Sequence, residues 1–322
     1  MADDPTGTLV APEPQPAVER RPGLRVAISG AGGLIGSALV ATFQAAGQQV
    51  RRLTRRESAD PSEIFWDPVG ERIESAKLEG LDAVIHLAGE NIASGRWNER
   101  RKAAILDSRV RGTRLIATTL AALRRPPRVL LNASAIGYYG DRGDEPLDET
   151  SPPGTGFLAE SCQAWEAAAD PALRAGLRVC KLRIGVVLSR EGGALAKMLP
   201  AFRWGLGGRL GSGRQYMSWI ALDDVVEAFR FVLFNPTLEG AFNAVAPGPV
   251  TNAEFTRALG RVLRRPTLLP VPAMAIRLLL GEMGRELLLA GARIRPLRLE
   301  RAGFGFRNPE LADALQRILG AA

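Results

Sequence analysis

The sequence predicts an α/β chain: a doubly wound, mostly parallel sheet followed by a smaller, mainly helical C-terminal unit. Three observations carry that prediction. Short apolar runs of strand length recur at 24–29, 49–53, 81–89, 128–133 and 178–188. Segments with apolar residues at helical spacing separate them, and this alternation belongs to parallel sheets covered on both faces. The first run passes through a glycine-rich turn directly into a helical pattern, the entry unit of the dinucleotide-binding form of this architecture.

In that entry unit Gly30, Gly33 and Gly36 stand at GxxGxxG spacing, and Leu34, Ile35, Ala38, Leu39 and Phe43 then follow a helical period until Gly47. One glycine makes the strand-to-helix turn, one lets the backbone approach a pyrophosphate, and one lets helix and strand pack closely. The helix N-terminus offers free N–H groups and the positive end of its dipole to phosphates. The second strand ends in Thr54, Arg55 and Arg56, with no acid before Glu57. A carboxylate here would select the ribose 2′-hydroxyl of NAD, whereas a basic residue suits the 2′-phosphate of NADP. NADP(H) is therefore the expected cofactor and Arg55 its first-choice phosphate ligand.

The remaining elements follow in order. The first 22 residues hold five prolines and little apolar periodicity, so 1–23 are expected to form a disordered tail. The run 81–89 ends in small residues, where a cofactor crosses the edge of a sheet, and includes His86, the only histidine. A long helical pattern covers 97–123. The strand at 128–133 leads into Ser134 and the turn GYYG, a Gly/Pro-rich loop covers 141–156, and a helix is expected over 157–169. Beyond 190, Gly192-Gly193 and the glycine-rich run 205–215 bracket a helix; the latter run reads as a substrate-side loop. A strand at 217–220 precedes a helix at 223–234, and Thr251 with Glu254 forms a capping box for a helix through Leu263. Apolar helices are expected near 273–280 and 284–291, and a last one near 309–319. The expected division is a dinucleotide-binding (Rossmann) domain at 24–190, to which 217–247 returns, and a substrate domain at 191–216 and 248–322.

Composition excludes several classes. The chain has 322 residues, is 46% apolar, and carries a net charge of +8. No segment approaches the ~18 uninterrupted apolar residues of a membrane span, so no membrane partner is expected. Asp3 and Asp4 stand where a signal peptide would be basic. Cys162 and Cys180 have no metal or redox spacing, so no metal and a cytoplasmic location are expected. The arginines are interspersed with acids and no nucleic-acid motif is present, so the charge reads as an arginine-biased surface plus an anionic-cofactor site.

With these pieces assembled, the chain resembles an extended short-chain dehydrogenase/reductase of the nucleotide-sugar epimerase type over about residues 24–320. SAIGYYGDRGD (134–144), FLAESCQAWEAAA (157–169), GLGGRLGSGRQYMSWI (205–220) and the C-terminal RPTLLPVPA…GFGFR segment are similar to one atypical subgroup with a C-terminal domain of undefined role. Members of that subgroup are described as NADP-binding; some plant and cyanobacterial ones are associated with plastid or cell division. The resemblance implies cofactor contacts at Gly30, Gly33, Leu34, Ile35, Gly36, Thr54, Arg55, His86, Leu87, Ala88, Gly89 and Ser134. It also brings Arg183, Gly185 and Val186 near the nicotinamide, and places Trp97, Arg101, Gln215, Met217 and Trp219 on the substrate side. The family's usual Tyr-xxx-Lys pair is missing from FLAESC (157–162), its serine position falls on Ala135, and its supporting asparagine aligns with Arg109.

Two functions remain open at this stage. In one, an enzyme acts on an unidentified small carbonyl or hydroxyl substrate, with Tyr138, Tyr139 or Ser134 touching substrate and Arg109 or Arg101 supplying positive charge. In the other, a non-catalytic NADP(H)-binding protein regulates or binds a partner. A monomer or a homodimer is expected.

Overall fold

The computed structural model describes residues 23–320, so the expected tail lies outside the described residues apart from Gly23. In chain order the strands are β1 Arg25–Ser29, β2 Gln49–Thr54, β3 Glu63–Asp67, β4 Arg72–Ile73, β5 Ala83–His86, β6 Val129–Ala135, β7 Pro146–Leu147, β8 Arg178–Ile184, β9 Val186–Leu188, β10 Tyr216–Met217, β11 Trp219–Ala221, β12 Gly240–Ala244, β13 Val250–Thr251 and β14 Arg293–Ile294. The helices are α1 Leu34–Ala45, α2 Glu99–Ala122, α3 Phe157–Ala167, α4 Asp170–Arg174, α5 Gly193–Arg203, α6 Leu222–Phe234, α7 Asn252–Leu263, α8 Ala273–Gly284, α9 Leu297–Arg301 and α10 Leu311–Gly320.

Eight strands form the central sheet in the order β12-β8-β6-β5-β1-β2-β3-β4, parallel throughout except for the β3–β4 pair. Helices cover both faces, as the alternation of elements requires. On one face Leu39 and Phe43 of α1 pack with Val225, Phe229 and Val232 of α6. On the other, Ile116 and Leu120 of α2 meet Ala172 of α4 and Trp66 of β3. The chain reverses direction between β1 and β5, and crevices at the carboxyl end of such a switch point are where doubly wound sheets bind ligands.

The C-terminal elements are sewn to this sheet. Ser218 lies between β10 and β11; its hydroxyl donates to the Ala292 carbonyl at 2.8 Å and accepts from the Ile294 N–H at 3.0 Å. Asp224 in the first turn of α6 is fully buried and accepts from the backbone of Arg307 and Asn308. Arginines cap carbonyl groups at the ends of elements: Arg178 reaches the Val232 and Leu233 carbonyls in the last turn of α6 and that of Leu238 beyond it, and Arg298 those of Glu239 and Ala241. Part of the arginine excess is thus internal scaffolding.

The structure departs from expectation at several places. β3, β4, β7, β12, β13 and β14 had no counterpart in the sequence reading. The single strand expected at 217–220 is split at Ser218, because β10 pairs with β13 whereas β11 pairs with β9. The helix expected over 157–169 ends at Ala167, and Pro171 opens α4. Gly281 interrupts α8 with φ at 60°, and a π-helical turn follows at Arg285–Leu289. The capping box at Thr251 and Glu254 is formed as read.

Gly185 lets β8 pass into β9 against the neighbouring chain: a Cβ there would stand 2.6 Å from the Ser218 carbonyl oxygen and 2.8 Å from a Val245 methyl. Gly185→Ala should therefore lower the unfolding free energy by about 1–3 kcal/mol, read from urea denaturation. An unchanged midpoint would show that the sheet junction has slack the packing does not reveal.

Candidate functional site

At the switch point a cavity of about 330 Å³ is lined by Gly30, Ala31, Gly33, Leu53, Arg55, Trp66, Leu87, Ala88 and Gly89. The three motif glycines divide the work. Gly30 has φ at +68°, and a Cβ on it would sit 2.9 Å from the Ala88 nitrogen. A Cβ on Gly36 would collide with the Gly30 carbonyl oxygen. Gly33 alone faces open space on its outer side, with only the Gly30 oxygen nearby at 3.3 Å. The turn therefore brings β1 and α1 together at Gly30 and Gly36 and leaves room for a ligand at Gly33.

α1 starts at this opening without a side-chain cap or an acidic residue in its first turn. The Leu34, Ile35 and Gly36 N–H groups thus have no side-chain acceptor, and the helix dipole is uncompensated. The Leu34 side chain lies along Gly192 and Gly193, so α5 also begins beside this opening. Arg55 is the one charged residue in the cavity lining. Thr54 accepts from the Arg56 N–H at 3.2 Å and shapes the end of β2. An uncapped helix N-terminus, a glycine cradle and an arginine without an ion pair among the described residues fit a dinucleotide phosphate.

Leu87, Ala88 and Gly89 line the cavity, but His86 does not; it lies beneath it, fully buried. Ser29 Oγ accepts the N–H groups of Leu87 and Ala88 and lies 2.6 Å from His86 Nδ1. With its acceptor sites used, Ser29 donates its proton to Nδ1, which puts the imidazole proton on Nε2. That nitrogen has no hydrogen-bond partner among the described residues, and the ring packs edge-on against Trp66 at 5.7 Å. Ser29, Leu53 and Trp66 were missed from sequence. The alternation of Ile64 and Trp66 in EIFWD (63–67) was the available signal for the strand that carries Trp66.

Two of the four expected catalytic residues, Ser134 and Tyr139, belong to a buried polar chain. Arg183 binds Glu166 through two hydrogen bonds, at 2.8 and 3.0 Å, with both side chains nearly buried. Ser134 Oγ donates to Glu166 at 2.7 Å. Arg183 also donates to the Tyr139 hydroxyl at 2.9 Å, and that hydroxyl donates to Asn243 at 2.7 Å. Burial pushes the Tyr139 phenol up to about 12 against the opposing pull of Arg183. Tyr139 is fully enclosed, with both hydrogen-bonding roles taken, so it is corrected from substrate contact to structural anchor. Ser134 and Arg183 are likewise 2% and 4% exposed and engaged, which removes them from direct cofactor contact. Burial works against the Arg183 charge, but Glu166 more than reverses this and holds its proton tightly. Glu166 was missed from sequence.

Tyr138 is half-buried, its ring centroid 3.5 Å from the Arg183 guanidinium carbon. Arg109 lies over Trp165 at 5.1 Å, donates to the Glu90 carbonyl, and stands 3.4 Å from where a Gly89 Cβ would be. Burial lowers its hold on the proton, against Cys162 and Glu90.

The substrate-side group does not converge. Trp219 is fully buried and donates to the Gly248 carbonyl, so it is corrected to a core residue. Gln215 is tied to the Leu210 and Leu288 carbonyls, and Met217 accepts from Asn252. Val186 is held in β9 by the Ser218 carbonyl. Trp97 stacks edge-on with Phe157 at 5.1 Å, and Arg101 pairs with Glu90 at 2.8 Å.

Burial depresses the His86 pKa from 6.5 to about 3. The unfolded chain therefore binds the extra proton first, and stability is lost as pH falls from 6.5 toward 3. With no other histidine in the chain, the window from about pH 6 to 5 lies above most carboxylate titrations. There the unfolding free energy should fall toward a limiting slope of about 1.4 kcal/mol per pH unit, and His86→Gln should flatten it. An equal slope in both proteins would contradict a neutral buried imidazole.

The description NAD dependent epimerase/dehydratase family matches residues 26–244, and a domain of unknown function, DUF1731, matches 271–318. An epimerase family protein of Mycobacterium bovis is 48% identical over 290 residues, 90% of this chain and 96% of that one. The crystal structure of human epimerase family protein SDR39U1 with NADPH matches with a TM-score of 0.85 and 34% identity, covering 93% of this chain and all of that one. A nucleoside-diphosphate sugar epimerase from Corynebacterium glutamicum matches with a TM-score of 0.77 and 38% identity, over 92% of this chain and 58% of that one. On the family match, the sheet order and the glycine turn, the chain belongs to the NAD dependent epimerase/dehydratase family.

Proposed function

We propose that this protein binds NADP(H) at the β1–β5 switch point and acts as an epimerase-like oxidoreductase on a small molecule bearing a carbonyl or hydroxyl group. One observation carries the reading: the uncapped start of α1 opens on a cavity whose lining holds Arg55 and no carboxylate. The Leu34, Ile35 and Gly36 N–H groups would hold the pyrophosphate, and Arg55 with Thr54 the 2′-phosphate. The NADPH of the human relative is consistent with that choice. The bound nicotinamide supplies hydride transfer.

The proton chemistry falls to different residues from the family's usual pair, since α3 reads FLAESCQAWEA and has neither tyrosine nor lysine. Tyr139 is unavailable, because its phenol is buried and fully bonded. Tyr138 is the remaining phenol on that turn, with its ring over the Arg183 guanidinium. Arg109, at the edge beside Gly89, is placed to hold a substrate anion or a developing oxyanion; a guanidinium cannot serve as a general base. A second reading, in which NADP(H) is held without turnover and the protein works by binding a partner, draws on the engagement of Ser134, Tyr139 and Arg183 in structural bonds.

NADPH should bind about ten- to a hundredfold tighter than NADH, the worth of one charge-assisted phosphate contact. Arg55→Ala should erase most of that difference and leave NADH affinity nearly unchanged, as calorimetry would record. Equal affinities in the unaltered protein would refute the assignment.

On a panel of nucleotide sugars and small carbonyl compounds, turnover is expected to be slow. Tyr138→Phe should reduce it by roughly 10²-fold or more, the range for losing a general acid. Tyr139→Phe should instead lower the melting temperature. No turnover on any compound, with NADPH still bound, would favour the non-catalytic reading; turnover untouched by Tyr138→Phe would remove that residue from the mechanism.

A further inference from the structure

Nearly all the large apolar side chains exposed among the described residues belong to one region. Trp204, 82% exposed, and Leu206 follow α5, while Leu268, 83% exposed, and Leu269 lie between α7 and α8. Met274, Leu278 and Leu279 stand on the outer side of α8, which turns Ile276 and Met283 inward. Only Val69 and Leu173 lie elsewhere. The two loops run side by side: Leu210 bridges Val271, Gly208 backs onto the Leu269 carbonyl, and a Cβ on Gly205 would touch Pro266 at 3.6 Å. Scattered apolar residues are ordinary on a surface, but a joined patch marks a contact face.

A basic hollow adjoins this ridge. At the end of α7 a cavity of about 360 Å³ is lined by Arg257, Arg261, Arg264 and Arg265, closed by Pro266 and Thr267. None of the four forms a salt bridge among the described residues. The hollow is a built feature: Arg264 ends α7 in the left-handed region at φ 53°, and a Cβ on Gly260 would strike the Thr267 methyl at 2.5 Å. Pro266 belongs to both hollow and ridge, and Arg277 is exposed on α8 among the apolar residues.

We propose that this face docks on an anionic lipid bilayer. The ridge enters the boundary between headgroups and acyl chains, and the arginines hold lipid phosphates. The pairing of the two features selects this occupant. A free phosphate or a nucleic acid would use the arginines but leave the leucines and methionine in water. A second copy placed symmetrically would set the same four-arginine hollow near its own image, and no acid is among the described residues that line it. Membranes were set aside from sequence because no segment spans them, and no helix among the described residues is long and apolar enough to cross one. Docking at the surface needs no span.

The full chain is sedimented with vesicles of phosphatidylcholine containing phosphatidylglycerol, and with phosphatidylcholine alone. It should bind the anionic vesicles selectively and lose them as salt rises. Leu278→Glu/Leu279→Glu and Arg261→Glu/Arg265→Glu should each weaken binding at least about tenfold, with the melting temperature and its rise on adding NADPH preserved. Inorganic phosphate at an ionic strength matched with chloride should not displace the protein further. The proposal is overturned by no sedimentation, by equal binding to neutral vesicles, or by binding indifferent to the leucine substitutions. Tighter binding to a DNA oligonucleotide overturns it too, as does a solution dimer that the leucine substitutions dissolve.

Discussion

The structure depends above all on the ion pair between Glu166 and Arg183. Both side chains lie under the sheet's carboxyl edge, 6% and 4% exposed, where an unpaired charge costs about 3–5 kcal/mol. The pair therefore fixes whatever carries it. Arg183 comes from β8 and Glu166 from α3; Ser134 of β6 joins through Glu166, and Tyr139 through Arg183. Tyr139 hands the constraint to Asn243 of β12, whose backbone N–H donates to Glu149 and whose amide donates to the Arg295 carbonyl. One charge pair thereby links the helix over the sheet, the GYYG turn, the outer strand and the C-terminal segment.

This anchoring divides the carboxyl edge into two regions with different freedom. At β1, β2 and β5 the backbone is open: glycines, an uncapped helix and one arginine wait for an anion. Toward β6 and β8 the polar side chains are already satisfied by one another. A buried phenol held up to about 12 and donating to an amide is a neutral structural hydroxyl at any physiological pH. A Tyr-xxx-Lys pair would join cofactor binding and proton transfer in one helix; α3 of this chain carries neither a tyrosine nor a lysine. α3 contributes Glu166 to the anchor, and the phenol still reachable belongs to Tyr138.

What was legible in the sequence was local. The glycine spacing, the strand rhythm and the Thr251 capping box each depend on residues a few positions apart, and the glycine turn and the capping box formed where the pattern placed them. β3, β4 and β12 were missed because strands of five, two and five residues toward the two edges of the sheet leave little period to read. Glu166 was missed because its partner lies 17 positions away, beyond α4 on β8. Tyr139, in a turn, and Trp219, in β11, were misplaced because a polar aromatic looks the same in sequence whether its tip meets a substrate or a buried carbonyl. His86 showed its strand end correctly but not that Ser29 turns its ring under the cavity.

A double-mutant cycle on Glu166 and Arg183, read by both urea unfolding and NADPH affinity, tests this division most directly. Glu166→Gln and Arg183→Met should each destabilise the protein, with a coupling near the upper end of the usual range, about 2–3 kcal/mol. NADPH affinity, measured well below the unfolding transition, should stay within a few-fold of the unaltered protein. Additive effects on stability, or an NADPH affinity that collapses in a variant still folded, would contradict the account and return Arg183 to the cofactor site.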